Sequence, residues 1–380
     1  MRIGIDARSL GPGGGTGIGR YVQELVKNLE KIDKKNDYVV FLRKENFNLY
    51  TPRNKNFSKV LADVYWYGIS EQLVLPRILA SQNLDLLHVP SFNVPLLYSG
   101  KFVVTIHDLT LLRFMSKEAS TLPLPLYLLK RLGLRISFWK ATSGALAIVT
   151  PSKFVKDDLS KSFDLDPRKI FVTYEAGNLA DKEWDKLGRN VGNVVAKYKI
   201  TPPYFVYVGN VYPYKNVSRL LDAIKILNED LSFNAQLVLV GKHDAFAERL
   251  RREIVRKDVL KYILMIGYVP DTDLTSLYRG SAAYVQPSLS EGFGLGSVEA
   301  MSLGVPVVQS NTSCLPEIGG GAALYFDPLD AQDMAEKLAE ILRNKELSGR
   351  LSRNGLKRAK IFSWEKMAKE TLEVYRRVGK

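Results

Sequence analysis

The sequence predicts an α/β fold made of two similar halves, each a parallel sheet with helices on both faces. Three observations carry this: a length beyond one ordinary core, a strand–helix rhythm that runs twice, and unusual residues gathered just after the strands. The 380 residues exceed what a single hydrophobic core usually organises. In the first half, residues 2–7, 38–42, 84–89, 102–106 and 146–150 are short, apolar and rich in β-branched side chains, as strands covered on both faces should be. Between the first two, Ile18, Tyr21, Val22, Leu25 and Leu29 fall on one helical face. A polar, weakly patterned stretch at 181–199 follows. The rhythm then restarts, with strands expected at 205–209, 236–241, 263–267, 282–286, 305–310 and 323–326 and a helix over 220–227. Such alternation implies right-handed βαβ units. The expected domains are 1–178 and 200–362, with a linker near 175–200 and a C-terminal helix in 363–380 that packs on either half, crossing back if it joins the first. Two such domains facing each other would hold ligand in a cleft at the carboxyl ends of their strands.

Composition narrows the class. Hydrophobic residues at 46% and charged residues at 25% match a globular chain in water. No apolar run approaches the ~20 residues that span a bilayer, and MRIGIDARSL enters a strand without the pattern of a secretion signal. Cys314 is the only cysteine, so neither an internal disulfide nor a cysteine-built zinc site is expected, and a reducing cytoplasm fits. The net charge of +14 favours an acidic partner: nucleic acid, an anionic lipid surface or a phosphorylated substrate.

The most informative segment is QPSLSEGFGLGSVEAMSLGVP, from Gln286 to Pro306. Glu291 sits in a loop with Gly292, Phe293, Gly294, Leu295 and Gly296; Glu299 sits in the helix after it, with Ser297 expected as the N-cap and Gly304 and Pro306 as the stop. Glycines let backbone N–H groups approach an anion, and a helix start adds its positive end. Phosphate binding flanked by two hydroxyl-accepting carboxylates describes a nucleotide sugar.

Further places along the chain carry candidate chemistry. The loop GPGGGTGIGRY lacks both the G-x-G-x-x-G spacing and the lysine-serine end of a P-loop, which disfavours a dinucleotide cofactor or an NTPase. Gly15, Thr16 and Gly17 still suit close approach of a sugar or phosphate. His107 ends the strand KFVVTI beside Asp108 and is a candidate cleft residue, whereas His88 reads as structural and His243 as solvated. In VGNVYPYKN, Gly209 and Asn210 follow a strand and Lys215 precedes a helix, where a cation suits a departing diphosphate. Gly241 and Lys242, and then Tyr268 and Val269, follow the next two strands. The acidic pairs Asp164–Asp166 and Asp271–Asp273 read as helix starts, so neither metal nor cofactor is expected. Finally, Lys130, Arg131, Arg135 and Lys140 interleave with Leu128, Leu129, Leu132, Ile136, Phe138 and Trp139. Such a helix either lies on an anionic membrane or is buried with snorkelling basic stems.

Taken together, the blocks GGTGIGRY, VVTIHDL, VGNVYPYKN, IGYVPDTDL, EGFGLGSVEAM and SNTSCLPEIGG resemble the retaining family-4 glycosyltransferases of the GT-B fold, over essentially the whole chain. The resemblance implies that Glu291 binds the donor sugar, Glu299 the nucleotide ribose and Lys215 the diphosphate. It implies that backbone groups around Phe293–Leu295 reach phosphate and sugar and that Tyr268 and Val269 line the base pocket. His107 would lie near the transferred sugar as a positioning residue, and the loop at 15–17 would face donor and acceptor. Three positions depart from the family: Asn210 and Tyr214 stand where arginine is common, and Gly296 replaces a usual proline, which is expected to loosen the loop. The expected activity is metal-independent transfer of a sugar to a hydroxyl acceptor. TGIGRYVQEL and VVTIHDLTLLRF look most like the branch that builds bacterial surface polysaccharides, often mannosyltransferases using GDP-mannose, with a lipid-linked acceptor suiting the basic first half. A UDP-sugar donor and a nucleotide-sugar 2-epimerase remain open. A nucleic-acid binder is disfavoured, because acids interrupt the basic residues and no recognised motif is present.

Overall fold

Runs of β-branched and aromatic residues, too short for buried helices, form the strands of two parallel sheets. The computed structural model describes residues 1–11, 17–114, 123–177 and 191–379. Their backbone divides into one unit of Met1–Glu175 with the C-terminal segment from Ser363, and a second of Ala176–Phe362.

In the first unit the strands are β1 (Arg2–Asp6), β2 (Asp37–Leu42), β3 (Phe57–Leu61), β4 (Leu86–Val89), β5 (Phe102–Thr105), β6 (Ala147–Thr150) and β7 (Ile170–Val172). They pair in parallel in the order β3-β2-β1-β4-β5-β6-β7. The second unit holds β8 (Tyr204–Val208), β9 (Gln236–Val240), β10 (Ile263–Gly267), β11 (Ala283–Gln286), β12 (Val307–Ser310) and β13 (Ala323–Phe326), in the parallel order β10-β9-β8-β11-β12-β13. Both are doubly wound sheets, with strand order reversing between β1 and β4 and between β8 and β11. Parallel pairing sends all carboxyl ends of a sheet to one edge, and that edge at the reversal is where ligands bind.

Alternation along β8 shows why two helical layers are needed. Phe205 and Tyr207 enter one core with Leu220, Ile224 and Leu227 of the helix Val217–Glu229, while Tyr204 and Val206 enter another with Leu277, Tyr284 and Val307. In the first unit, Phe138, Ala141, Val104 and Ile148 share a core. The C-terminal helix Trp364–Val378 packs with the helix Gly17–Ile32, and its Tyr375 Oη lies 2.5 Å from Nδ1 of His88.

Two features differ from expectation. β3 and β7 were not foreseen; both are edge strands, β3 half-exposed with Ser58 and Lys59 at its middle and β7 apolar but only three residues long. Part of the stretch taken for a linker is the helix Val191–Lys197, whose Val194 is buried beside Tyr204 and Leu277. Its Lys197 Nζ donates to Asp273 Oδ2 at 2.6 Å, so Asp273 serves that helix. Asp166 likewise is engaged, with Arg168.

Candidate active site

The second sheet brings its candidate residues to one edge: Gly209, Asn210 and Lys215 after β8, Gly241 and Lys242 after β9, Tyr268 and Val269 after β10, and Glu291 after β11. Backbone meets backbone there. A Cβ added to Gly241 would stand 2.1 Å from the Gly209 carbonyl, so only glycine lets these two loops close. Lys215 and Glu291 lie on either side of the β8/β11 reversal. Asn216 holds them in place: it sits in the left-handed region at φ 58°, and its Nδ2 donates to the carbonyls of Pro287 at 3.0 Å and Pro328 at 2.8 Å. The Leu289 amide donates to the Tyr214 carbonyl at 2.8 Å, a second tie between the same loops.

Lys215 and Glu291 meet directly. Nζ donates to Oε1 at 2.6 Å and to Oε2 at 2.9 Å, with side chains 17% and 11% exposed. Oε1 also accepts from Gln286 Nε2 and from Ser288 Oγ, each at 2.6 Å, while the Glu291 amide donates to Ser313 Oγ at 3.2 Å. An ammonium has three donors, so two N–H groups on Glu291 leave one of Lys215 for another anion. Behind this group, the buried Tyr284 hydroxyl donates to Gln286 Oε1. Burial first, then the charges of Glu291 and Glu299, hold the Tyr284 pKa well above its ordinary value, so the phenol remains a donor.

The helix Leu295–Ser302 starts differently from expectation. Its cap is Gly294, in the left-handed region at φ 87°, not Ser297, which lies inside the helix with Oγ donating to Gln309 Oε1 at 2.7 Å. The amides at such a start have no partner within the helix. Glu299 is buried, with Tyr278 Oη 3.5 Å from its Oε2. A Cβ on Gly296 would stand 2.2 Å from Tyr284 Oη. Gly296 therefore makes room for a buried phenol, which fixes the loop from behind where a loosened loop was expected. Phe293 is buried against the edge of Phe362, Gly292 is buried, Val269 is buried, and Tyr268 is 70% exposed.

In the first unit, His107 follows β5. Its Nδ1 lies 2.9 Å from Glu175 Oε1 and its Nε2 3.2 Å from the Pro90 carbonyl, so each ring nitrogen faces an acceptor and a doubly protonated ring satisfies both. Burial works against that charge, but the Glu175 hydrogen bond and charge, with Asp108, outweigh it and hold the pKa above its ordinary value. A ring with both protons engaged is no general base. His88 is different: burial, with the nearby His107, pushes it down to about 3, and it is a neutral link between Tyr375 and Thr105 Oγ1, 2.8 Å away. Gly17 opens the helix Gly17–Ile32. Gly15 and Thr16 lie outside the described residues.

The basic helix is Leu124–Gly144. Lys130, Arg131 and Arg135 are exposed together with Leu128, Leu129, Leu132 and Trp139. Lys140 instead donates to the Tyr98 carbonyl at 3.1 Å and lies over Phe102. Among the described residues no helix is long and apolar enough to cross a membrane, and no group of three or more His, Cys, Asp or Glu residues could hold a metal.

Sequence reasoning missed Gln286, Ser288, Tyr284 and Glu175. For the first two there was a signal, polar side chains at the end of an apolar strand. For Glu175 there was none, since His107 lies far along the chain, and Tyr284 reads as an ordinary residue of an apolar strand.

Comparison with known proteins identifies the family and the fold. Residues 15–179 match the family Glycosyltransferase Family 4, and residues 194–358 match Glycosyl transferases group 1. O-antigen chain mannosyltransferase B of Escherichia coli is 30% identical, over 95% of this chain and 96% of its own. O-antigen chain mannosyltransferase RfbU of Salmonella typhimurium is 25% identical, over 76% of this chain and 73% of its own. Among solved structures, sucrose-phosphate synthase of Thermosynechococcus elongatus superposes with a TM-score of 0.78 at 20% identity, over 99% of this chain and 98% of its own. Anabaena HepE in complex with UDP and glucose gives 0.75 at 16% identity, over 99% of this chain and 100% of its own. One family model on each half, and a relative matched nearly end to end, establish that the chain belongs to the family-4 glycosyltransferases of GT-B fold.

Proposed function

We propose that this glycosyltransferase moves mannose from GDP-mannose to a hydroxyl of a lipid-linked oligosaccharide in surface polysaccharide synthesis, with retention of configuration and without a metal. The observation that carries the donor site is the Lys215–Glu291 pair at the β8/β11 reversal, beside the glycine-capped helix of Glu299. Lys215, through its remaining donor, and the amides from Gly292 to Leu295 would stabilise the departing diphosphate. Glu291 would accept from the sugar hydroxyls and Glu299 from the ribose, with Tyr268 and Val269 beside the base and Gly209, Asn210, Gly241 and Lys242 framing the phosphates. The bond from the anomeric carbon to the phosphate oxygen breaks and a bond to the acceptor oxygen forms on the same face. The acceptor's proton goes to the departing diphosphate, so no protein base is required, and His107 acts by position. Mannose is favoured by the similarity of the chain to O-antigen mannosyltransferases. Incubating the enzyme with GDP-, UDP- and dTDP-sugars and an oligosaccharide acceptor in EDTA tests this. Turnover is expected with GDP-mannose, giving an α-linked product. Activity that needs manganese, or a β-linked product, would refute it.

The exposed side of the helix Leu124–Gly144 supports docking on an anionic membrane where such an acceptor resides. Lys130, Arg131 and Arg135 contribute about 1 kcal/mol each near an anionic surface, to which leucine and tryptophan insertion adds. Lys140 is left out because it is engaged with Tyr98 and Phe102. The wild type is expected to sediment with phosphatidylglycerol vesicles and to be released near 1 M salt, where the Debye length is about 3 Å. A Lys130/Arg131/Arg135 triple-alanine variant should stay in the supernatant. Equal sedimentation of both proteins would remove the docking role.

A further inference from the structure

The loop after β3 is built to present aromatic rings. Tyr65, Tyr67 and Ile69 are 59%, 65% and 79% exposed in the segment DVYWYGIS, which follows the strand end at Leu61. Tyr67 also has φ 62°, the only aromatic residue with positive φ among the described residues. A bulky side chain in that region is strained, and such strain persists only where surrounding contacts over-determine it, often at a ligand site.

Here the contacts are explicit. The Tyr67 amide donates to Glu71 Oε2 at 2.7 Å, and Glu71 is fully buried. Its Oε1 accepts from Arg8 Nη2 at 2.9 Å and from Asn93 Nδ2 at 2.7 Å. Arg8 is buried too, pairs with Asp6 at 2.8 Å, and donates from Nη1 to the Val64 carbonyl at 3.1 Å. Removing charges from water is costly, yet this cluster spends three of them on holding one short loop. The rings themselves are fixed. The Arg43 guanidinium stacks 3.6 Å from the Tyr65 centroid, Tyr65 Oη donates to Glu45 Oε1 at 2.8 Å, and Tyr67 lies against Phe92 at 6.4 Å.

The place matters as much as the presentation. All strands of this sheet are parallel, so the loop shares its carboxyl edge with the loops after β1, β4 and β5. Phe92, which Tyr67 touches, is two residues from Pro90, whose carbonyl meets His107. Those two residues span at most about 7 Å.

The geometry points to a saccharide-binding platform formed by Tyr65 and Tyr67, which holds the acceptor glycan at sugars beyond the one that is glycosylated. A sugar ring has an apolar C–H face for an aromatic ring and hydroxyls at its rim for exposed groups such as Glu45 and Asp63. Aliphatic lipid would use the rings but not those polar neighbours. Fixed rings lose little freedom on binding. This rests on the glycosyltransferase reading but not on the choice of donor.

The test is titration of the full chain with α-mannotriose and with maltotriose, followed by saturation-transfer NMR, with GDP affinity measured in parallel. The wild type should bind at least one trisaccharide. Tyr67→Ala and Tyr65→Ala should each weaken that binding tenfold or more, Tyr67→Phe should retain it, and GDP affinity should stay unchanged in all. Trisaccharide affinity unaltered in both alanine variants, or a wild type that binds neither trisaccharide, overturns the platform. Loss of binding to anionic vesicles with saccharide binding intact overturns it in favour of lipid. Failure of GDP to bind the wild type would instead strike the donor reading, so the two failures are separable.

Discussion

Replacing Glu291 with glutamine is expected to lower turnover about a hundredfold or more, the range found when one preorganised group at a reacting centre is lost. The carboxylate accepts from Lys215, Gln286 and Ser288 at once. An amide of the same shape would turn an N–H₂ towards Lys215 Nζ or Gln286 Nε2, setting donor against donor. Turned towards Gln286, the amide also takes the shared acceptor from Gln286 and Ser288; in either orientation the charge that the sugar hydroxyls would donate to is gone. GDP lacks the transferred sugar, so its affinity should be unchanged, or tighter if Lys215, released from its partner, turns fully to the diphosphate. Steady-state kinetics with GDP-mannose, set beside calorimetry with GDP, separates the two quantities. A loss of GDP affinity with turnover preserved would assign Glu291 to the nucleotide instead.

The opposite pattern is expected on the nucleotide side. Lys215→Ala and Glu299→Ala should each weaken GDP binding roughly ten- to a hundredfold, because a hydrogen bond to a charged group contributes about 1.5–3 kcal/mol. Lys215 is the sole cation in VGNVYPYKN, with Asn210 and Tyr214 at the positions where the family commonly has arginine. Its loss is therefore not covered by a neighbour. Folding should survive it, since Glu291 keeps Gln286 and Ser288, and the Lys215 loop is still tied down by Asn216. Glu299 is buried, with Tyr278 Oη 3.5 Å from its Oε2, so its alanine variant needs a thermal melt beside the calorimetry.

Much of this was legible in the sequence because central parallel strands are covered on both faces. YFVYV and QLVLV admit few other readings. The edge strand β3 was hidden because a half-exposed strand does not need an apolar pattern, and β7 because three apolar residues are too short a run to stand out. Glu291, Lys215 and His107 were visible as polar residues at strand ends, where a doubly wound sheet collects its ligands. What organises them was not. Glu175 lies 68 residues from His107, and the pairing of Gly296 with Tyr284 is a steric fit between a strand and a helix that no local pattern records. The N-cap was misjudged for a related reason: Ser297 has the right chemistry, but the left-handed glycine before it starts the helix and frees the serine for Gln309. The aromatic loop at 65–69 carried no recognised pattern either, because its meaning lies in a backbone angle and in a buried ion cluster.

Calorimetric titration of GDP into the full chain in EDTA tests most directly whether Lys215, Glu291 and Glu299 frame a metal-free nucleoside-diphosphate site. Saturable binding at one site is expected, weakened tenfold or more in Lys215→Ala. Binding that appears only when a divalent cation is added, or an affinity that Lys215→Ala leaves unchanged, would contradict it.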